Sequence, residues 1–280
     1  MNVLITGANS GFGLLTAKTF AQAGHTVHAG YRNPDKAAPL EALRSEGLAI
    51  KPVRIDITDP ASIAAGVAFA ESEAPIDALV NNAGVEVVGP VDEVSDDSVR
   101  LQFDTNVLGL IRMVRAVTPG MRANGSGAIV NLSSLVGWMS APYAGLYAAS
   151  KHAIEALSEV MWFELRPFGI RVAVIEPGGF PTSFQDNVVI DPAFNETSPH
   201  WPTGTRFREA TGRFVGQFSS VQDPQEVADL VYEAVTTSTP RLRWLAGDDA
   251  RSLLPLYKSK EFEDFARVMA GTLGMPDLAP

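Results

Sequence analysis

The sequence predicts an α/β protein in which helices cover both faces of a doubly wound parallel sheet of about seven strands. Short runs rich in β-branched residues alternate along the chain with alanine-rich amphipathic segments. The runs are almost entirely apolar, as is typical of strands that are buried on both faces. Repeated β–α units of this kind favour right-handed crossovers and one parallel sheet.

The strand candidates, in order, are NVLIT, TVHAGY, AIKPVRI, DALVNN, GAIVNL and IRVAVIE. Helices are predicted to begin near Gly11, Asp35, Pro60, Val91, Tyr147 and Pro224. The chain has no internal repeat and no long linker, so we predict a single domain over residues 1–280.

Two stretches do not follow this alternation. Residues 185–220 are rich in proline and aromatic residues, and residues 240–280 hold one strand candidate, RLRWLA, and a short helical pattern around Glu261 to Ala270. Long segments of this kind inside a compact domain are usually lids or binding loops. We therefore predict a substrate-binding loop or helical insertion at 183–222 and a short helical C-terminal extension at 240–280.

The composition excludes several classes of function. A hydrophobic content of 46% and a net charge of −10 describe a globular chain that lacks the basic face needed for nucleic acid or an anionic membrane. The absence of cysteine excludes disulfides and thiolate chemistry, and the four histidines show no metal-ligand spacing. No apolar stretch reaches the ~18 residues of a membrane span. We expect a cytoplasmic protein with no metal site and no membrane partner.

The segment TGANSGFG joins the first predicted strand to the first predicted helix. Gly7, Gly11 and Gly13 permit a tight turn, and the helix N-terminus offers free N–H groups to a pyrophosphate. A glycine cluster directly between a first strand and a helix predicts a dinucleotide site in a Rossmann fold, here with the spacing Gly-x-x-x-Gly-x-Gly rather than Gly-x-Gly-x-x-Gly. The alternative is a β–α turn with a structural role only.

The end of the second strand bears on the choice of dinucleotide. An NAD site usually holds an acidic residue there, whereas a 2′-phosphate prefers an arginine. The sequence reads AGYRN, with no acid at the strand tip and Arg32 just beyond it. This pattern favours NADP(H) over NAD(H). An arginine that is merely on the surface remains possible, because neither Asn9 nor Ser10 adds a second positive charge.

Seven motifs occur in a fixed order: TGANSGFG, DITD (Asp56 to Asp59), NNAG (Asn81 to Gly84), DTNVLG with Asn106, NLSS, YAASK and PGGFPT. Together they resemble the short-chain dehydrogenase/reductases, by motif over 1–182 and loosely to about residue 246. The resemblance implies hydride transfer between NADP(H) and a carbonyl or alcohol in a homodimer or homotetramer. The tail loosely resembles the branch of 17β-hydroxysteroid and retinol dehydrogenases.

The resemblance also implies a set of site residues within a cofactor and catalytic core at 1–182. The catalytic residues would be Asn106, Ser134, Tyr147 and Lys151. The cofactor would be held by Thr6, Gly7, Asn9, Ser10, Gly11, Phe12 and Gly13 at the first turn, Arg32, Asp56 and Ile57 near the adenosine, Asn82, Ala83 and Gly84 near the ribose, and Pro177, Gly178, Phe180 and Thr182 near the nicotinamide, with Tyr147 and Lys151.

Among the two serines of NLSS, Ser134 precedes Tyr147 by thirteen residues, the separation usual in this family. Ser133 is the alternative, with a structural role at the strand end. Lys151 follows Tyr147 by four residues and would share its helix face. An ammonium about 5 Å from the phenol supplies ~3 kcal/mol at an effective dielectric of about 20, enough to lower a pKa of ~10 toward neutrality. By resemblance, Asn106 kinks its helix and holds a water that relays protons to Lys151.

The predicted pocket wall consists of Leu135, Trp138, Met139, Tyr143, Phe180, Phe184 and aromatic residues of 185–220. Phe207, Phe214 and Phe218 share one helical face and belong either to this wall or to the core. If they line the site, the substrate is a hydrophobic ketone, aldehyde or alcohol. His200 and Trp201 are predicted mainly as loop residues.

The alternatives to an NADP(H)-dependent oxidoreductase are a catalytically silent dinucleotide sensor or scaffold, an NAD-preferring dehydrogenase and, less well matched, a sugar-nucleotide epimerase.

Overall fold

The computed structural model describes all 280 residues except for the side chain of Gln185. Its central sheet has seven parallel strands in the order β3-β2-β1-β4-β6-β7-β9. The strands of this sheet are β1 (Asn2–Ile5), β2 (Thr26–Tyr31), β3 (Ile50–Arg54), β4 (Ala78–Asn81), β6 (Gly127–Leu132), β7 (Ile170–Pro177) and β9 (Arg243–Ala246). Sheet, strand number and α/β class confirm the fold predicted from the sequence.

Helices cover both faces of this sheet. They are α1 (Gly11–Gln22), α2 (Ala38–Ser45), α3 (Pro60–Glu71), α4 (Asp96–Phe103), α5 (Leu110–Asn124), α6 (Gly145–Leu165), α7 (Trp201–Ser219), α8 (Gln225–Thr236), α9 (Asp248–Lys258) and α10 (Phe262–Leu273). Side chains of α1, α2 and α8 form one apolar layer, and side chains of α3, α5 and α6 form the other. Val3 and Ile5 point into the first layer and Leu4 into the second, which explains why the strands are apolar throughout.

Local sequence signals explain where several helices begin. At α3, the Asp59 side chain accepts a hydrogen bond from the Ala61 N–H and Pro60 occupies the first helical position. At α4, the Ser95 hydroxyl accepts from the Ser98 N–H, so the helix begins at Asp96 rather than near Val91. Val91 lies in an exposed loop that has no such cap.

The segment from 183 to 222 is more regular than the sequence indicated. A short strand, β8 (Val188–Ile190), pairs in parallel with β5 (Glu86–Val88), and the 19-residue helix α7 follows. The tail contains two helices, α9 and α10, where one helical pattern was predicted. Strands of three residues carry little local signal, and the prolines and aromatic residues obscured the periodicity of α7.

The strand order reverses between β1 and β4, because β2 and β3 lie on one side of β1 and every later strand lies on the other. Such a reversal leaves a crevice at the carboxyl ends of the strands, where ligands bind in open α/β sheets. Among the helices of the described residues, none is both long and apolar enough for a membrane crossing.

Candidate active site

A cleft of about 1240 Å³ opens at the carboxyl ends of the strands. Its floor is formed by the first β–α turn, the NNAG segment and the start of α6. Its outer wall is formed by α7, α9 and α10, which come from the two segments that did not fit the β–α alternation. We therefore expect the predicted site residues to line this cleft.

The first turn forms one end of the cleft. Gly7 and Gly11 have φ angles of +64° and +51°, a region that favours glycine. A Cβ on Gly13 would lie 2.4 Å from the Gly7 carbonyl oxygen, so only glycine lets the helix begin this close to the strand. Asn9, Ser10 and Phe12 line the cleft, as predicted, beside Gly7 and Gly11.

Thr6 and Gly13 lie beneath this turn and are not among the residues that line the cleft, so their contact with the cofactor stays a prediction. Thr6 is buried, and its Oγ1 accepts hydrogen bonds of 3.1 Å from the N–H groups of Asn82 and Ala83. Asn82 Nδ2 in turn donates to the carbonyl oxygens of Thr6 and Gly7, both at 2.9 Å. The two residues therefore fix the turn against the end of β4.

The adenosine end of the cleft holds both basic and acidic side chains, Arg32 and Lys36 beside Asp35 and Asp56. Arg32 is exposed and lines the cleft. Lys36 lines it as well and supplies a second positive charge that was not predicted from the sequence. Asp56 and Ile57 line the same end, and Asp56 Oδ1 is held by the N–H and hydroxyl of Thr58 at 2.9 and 2.7 Å. The two cations, Arg32 and Lys36, are suited to bind an anionic group.

The other end of the cleft holds Tyr147 and Lys151, one turn apart on α6. Lys151 is buried, and its Nζ lies 5.5 Å from the centre of the Tyr147 ring and donates a 2.7 Å hydrogen bond to the Leu132 carbonyl. Ser134 also lines the cleft, and its hydroxyl lowers the pKa of the Tyr147 phenol against the effect of burial. The small residues Ala144, Gly145, Ala148 and Ser150 surround this turn of α6.

The pKa values differ from the expectation for Tyr147. Burial raises the pKa of the Tyr147 phenol, and the charge of Glu86 raises it further. Burial lowers the pKa of Lys151 to about 8, against the charges of Glu155 and Glu86, which raise it. The prediction that Lys151 lowers the pKa of Tyr147 is therefore wrong for this arrangement, because desolvation of the phenol dominates and the ammonium is directed at a backbone carbonyl.

Asn106 lies in a π-helical segment, Asp104–Gly109, between α4 and α5. Its Oδ1 accepts from the Val85 N–H at 2.9 Å, and its Nδ2 donates to the Val85 carbonyl at 2.9 Å and to the Ser150 hydroxyl at 3.0 Å. The extra residue in the turn gives the irregularity that the resemblance implied at this position. The Asn106 side chain thus ties the NNAG segment to α6.

The two serines of NLSS have different surroundings. Ser134 Oγ accepts from the Val136 N–H at 3.3 Å and lies 3.4 Å from the Pro177 carbonyl oxygen, at the start of the short turn Leu135–Gly137. Ser133 is buried, and its hydroxyl faces Glu155 below the cleft. This geometry favours Ser134 as the serine that meets a ligand.

The PGGFPT segment follows β7 and forms the wall opposite Tyr147. Pro177, Gly178, Phe180 and Thr182 all line the cleft. Phe180 packs edge-to-face on Phe12 with ring centres 5.6 Å apart, which joins this wall to the first turn. Asp249, from the first turn of α9, accepts a 2.6 Å hydrogen bond from the Gly179 N–H.

Most residues of the predicted substrate wall line the cleft. They are Leu135, Met139, Tyr143, Phe180, Phe184, Phe207 and Phe214. Trp138 does not line it, because its indole N–H donates to Glu176 at 2.8 Å and its ring lies under Lys258. Phe218 packs on Phe214 outside the cleft, and His200 pairs with Asp92 at 3.2 Å on the surface.

Tyr143 has a strained backbone, with φ of +63°. Its ring stacks on Phe194 at 5.4 Å, and its carbonyl accepts a 2.8 Å hydrogen bond from the Gly89 N–H. Strain at a non-glycine residue persists only where the surroundings compensate for it, and it is often found at ligand sites. Here it places the tyrosine ring on the cleft wall, four residues before Tyr147.

Several ionisable residues in or beside the cleft were missed from the sequence, among them Asp35, Asp186 and Arg208. Lys36 and Glu86 line the cleft, Asp249 supports its wall, and Glu155 lies one turn beyond Lys151. The sequence could have indicated Glu86 as a site residue, since a single carboxylate interrupts the apolar run VEVVG directly after NNAG. No such indication exists for Asp249, because nothing in the sequence brings residue 249 to residue 179.

The residues that line the cleft fit a nicotinamide dinucleotide. A glycine cradle that side chains would fill lies at the diphosphate position, with Arg32 and Lys36 at one end and the half-buried Tyr147 phenol and buried Lys151 ammonium at the other. The N-terminus of α1 points N–H groups at the same place.

Residues 1–192 match the family model for short chain dehydrogenases. The chain is 37% identical over 244 residues to the uncharacterized oxidoreductase YusZ of Bacillus subtilis, covering 83% of this chain and 84% of that protein. It is 32% identical over 268 residues to the human 17-beta-hydroxysteroid dehydrogenase type 1, covering 92% and 80%.

Solved structures agree with the sequence relatives. A short-chain dehydrogenase from Streptomyces avermitilis superposes with a TM-score of 0.80 at 31% identity, covering 96% of this chain and 94% of that one. A gluconate 5-dehydrogenase from Burkholderia cenocepacia in complex with NADP and tartrate gives 0.71 at 26%, covering 89% and 94%. A short-chain dehydrogenase/reductase from Burkholderia phymatum in complex with NAD gives 0.77 at 28%, covering 100% and 97%. The chain therefore belongs to the short-chain dehydrogenase family and is an NAD(P)-dependent oxidoreductase.

Proposed function

We propose that the protein prefers NADP(H) and interconverts a hydrophobic ketone or aldehyde and the corresponding alcohol, with Tyr147 as acid and base. The observation that carries this proposal is the half-buried Tyr147 phenol, which lines the cleft together with Ser134 and Lys151. Nicotinamide, when bound, exchanges a hydride with the reacting carbon.

In the reducing direction, Tyr147 donates its proton to the carbonyl oxygen. The raised pKa of the phenol keeps that proton in place at neutral pH until negative charge develops on the substrate oxygen. The Ser134 hydroxyl donates a hydrogen bond to the same oxygen. Lys151, with a pKa of about 8, supplies a proton to the phenolate and can bond the ribose hydroxyls.

The cofactor residues belong to the same proposal. Arg32, supported by Lys36, would bind the 2′-phosphate, and Asp56 and Ile57 would contact the adenine. The remaining contacts would come from the first turn, from Asn82, Ala83 and Gly84, and from Pro177, Gly178, Phe180 and Thr182. Thr6 and Gly13 would act by holding the turn.

We divide the chain according to the cleft residues that each segment contributes. Residues 1–182 would form the cofactor and catalytic core, residues 183–222 the substrate lid, and residues 240–280 an extension that completes the apolar wall. A homodimer or homotetramer is supported by exposed apolar side chains near the end of α6, where Phe163 is 74% and Val160 is 51% exposed. A small-molecule carbonyl or alcohol is the proposed partner, and the cytoplasmic location stays a prediction from composition.

The test is a panel of aldehydes, ketones and alcohols of increasing chain length, assayed with both nicotinamide cofactors. Turnover should be faster with NADPH than with NADH and should rise with chain length. Tyr147→Phe should lower kcat by about 10³-fold while NADPH still binds, because general acid catalysis typically contributes about 10² to 10⁴.

Tyr232→Phe is the matched control, since this phenol packs on Phe20 away from the cleft. A wild-type protein that binds NADPH but converts no member of the panel would be a silent sensor or scaffold. A higher kcat/KM with NADH would identify an NAD-preferring dehydrogenase instead.

A further inference from the structure

Glu86 is a carboxylate inside the substrate end of the cleft. It is half-buried and belongs to strand β5, in which Glu86 and Val88 line the cleft. Val87, between them, is 1% exposed and points away from it. Strand alternation therefore directs Glu86 toward the same space as Tyr147 and Lys151.

The surroundings of Glu86 leave its charge without a close partner. No described residue donates a hydrogen bond to its carboxylate; Arg208 and Lys151 act on it only through longer-range Coulomb attraction. Lys151 is engaged with the Leu132 carbonyl. Arg208 is exposed on α7 and also lines the cleft, but it forms no hydrogen bond or ion pair with Glu86. Burial accordingly raises the pKa of Glu86, and the two cations lower it.

A desolvated carboxylate is costly unless something pairs with it. Glu86 is close enough to the reacting phenol for its charge to raise the pKa of Tyr147. A group that pairs with Glu86 would therefore sit near the substrate oxygen that meets Tyr147. A cation on the substrate would form a charge-assisted hydrogen bond there, whereas a carboxylate or phosphate would be repelled.

Beyond Glu86 the cleft is mostly apolar, although Arg208 and Thr211 of α7 also line it. Its outer wall consists of Phe207, Phe214, Leu253, Phe265, Met269 and Leu273, from α7, α9 and α10. This wall has the area to take an alkyl chain, and each buried CH₂ group contributes about 0.8 kcal/mol. One side of the substrate thus meets a carboxylate and the other meets hydrocarbon.

We propose that Glu86 binds substrate and selects ketones and alcohols that carry an ammonium group near the reacting carbon and an apolar chain on its other side. This proposal rests on the proposed function, because it names the substrate class of the same site. It makes Glu86 a specificity-determining residue, in addition to the residues that transfer the proton.

The test compares 1-aminooctan-2-ol with octan-2-ol as substrates for oxidation with NADP⁺ at neutral pH, where the amine is protonated. In each oxidation the carbinol C–H bond breaks and its electron pair reduces NADP⁺ to NADPH, while the hydroxyl proton is released to solvent by way of Tyr147. The products are 1-aminooctan-2-one and octan-2-one. Octane-1,2-diol serves as the neutral hydrogen-bond donor of similar shape.

We expect kcat/KM for the amino alcohol to exceed that for octan-2-ol by about tenfold or more in the wild-type protein. In Glu86→Gln this ratio should fall to about one to threefold. The ratio cancels any change in proton transfer that the substitution causes. Glu46→Gln, an exposed glutamate on the far side of α2, should keep the wild-type ratio.

The ammonium proposal is overturned if octan-2-ol is oxidised as well as the amino alcohol, if the diol is preferred equally, or if Glu86→Gln leaves the ratio unchanged. If neither alcohol is oxidised, the proposed function fails. The same ligand pair is then compared by thermal shift on the NADPH-bound protein. Stabilisation by the amino alcohol that disappears in Glu86→Gln supports the ammonium site, and equal shifts overturn it.

Discussion

The carboxylate of Asp249 accepts a 2.6 Å hydrogen bond from the backbone N–H of Gly179, seventy residues earlier in the chain. Asp249 is 3% exposed, and its Oδ1 has no hydrogen-bond partner among the described residues. The bond joins the first turn of α9 to the segment that follows β7. The C-terminal extension thereby holds the cleft wall on which the nicotinamide end of a cofactor would rest.

Asp249→Ala should lower the free energy of unfolding by about 1–3 kcal/mol, because a buried N–H loses an ionised acceptor. It should also weaken NADPH binding, since the wall is no longer held. Asp249→Asn keeps an oxygen for Gly179 and should recover most of both. Urea unfolding and NADPH fluorescence titration measure the two effects. Asp248→Ala, the exposed neighbour, should change stability by no more than about 0.5 kcal/mol.

Gly178→Ala tests the same contact from the other side. A Cβ at residue 178 would lie 2.0 Å from Asp249 Oδ1, so the two groups cannot both keep their positions. We expect a loss of about 1–3 kcal/mol in unfolding free energy. The loss should be less than additive in Gly178→Ala/Asp249→Ala, because removal of the carboxylate frees the space.

Gly271→Ala provides the control for that cycle. Nothing lies within 4 Å of a Cβ at this position of α10, so alanine should stabilise the helix by about 0.5–1 kcal/mol. If the two losses of unfolding free energy were fully additive in Gly178→Ala/Asp249→Ala, Gly178 and Asp249 would not interact.

Arg32→Ala should weaken NADPH binding by about 10- to 100-fold, the usual effect of losing a charge-assisted bond to phosphate. NADH binding should change by less than about threefold, because NADH lacks the 2′-phosphate. Isothermal titration of each cofactor gives the two values. Arg44→Ala on α2 is the matched control, since Arg44 pairs with Glu41 outside the cleft. Equal losses for both cofactors would exclude the phosphate role.

The pH dependence of reduction should report Lys151. Its pKa of about 8 means that the ammonium is charged below this pH and neutral above it. Carbonyl reduction consumes a proton, so kcat/KM with NADPH should fall as the pH rises through about 8. The charges of Glu155 and Glu86 raise the pKa of Lys151, so Glu155→Gln should move this fall to lower pH.

Glu159→Gln separates the effect of Glu155 from that of its shared partner. Glu155 and Glu159 both pair with Arg243, but Glu159 is exposed and does not act on the pKa of Lys151. The profile of Glu159→Gln should match the wild type. A fall that stays in place, or moves to higher pH, in Glu155→Gln would contradict the role of Glu155.

Features that depend on neighbours in sequence were predictable. The apolar runs gave the seven-stranded sheet, because strands buried on both faces need no partner to be recognised. The glycines of the first turn and the Tyr147–Lys151 spacing follow from the geometry of a turn and of a helix. The structure brings Ser134, Tyr147 and Lys151 to one end of the cleft, and their catalytic roles remain predictions.

Features that depend on long-range contact were not predictable. Strands β5 and β8 pair across a hundred residues, and each has only three residues. The pKa of Tyr147 was expected to fall next to Lys151, but burial and the charge of Glu86 raise it. Desolvation is a property of the assembled site, so spacing along one helix could not give its sign.

By itself, the sequence determined the α/β class, the family and the positions of a dinucleotide turn and a tyrosine–lysine pair. All of these rest on residues a few positions apart, where backbone geometry sets the distances. Only the tertiary structure decided that Glu86, Asp249 and the helices α7, α9 and α10 share one cleft with that pair. Folding sets which distant side chains meet and which lose their water, and those two facts decide the charge and the apolar surface that a substrate encounters.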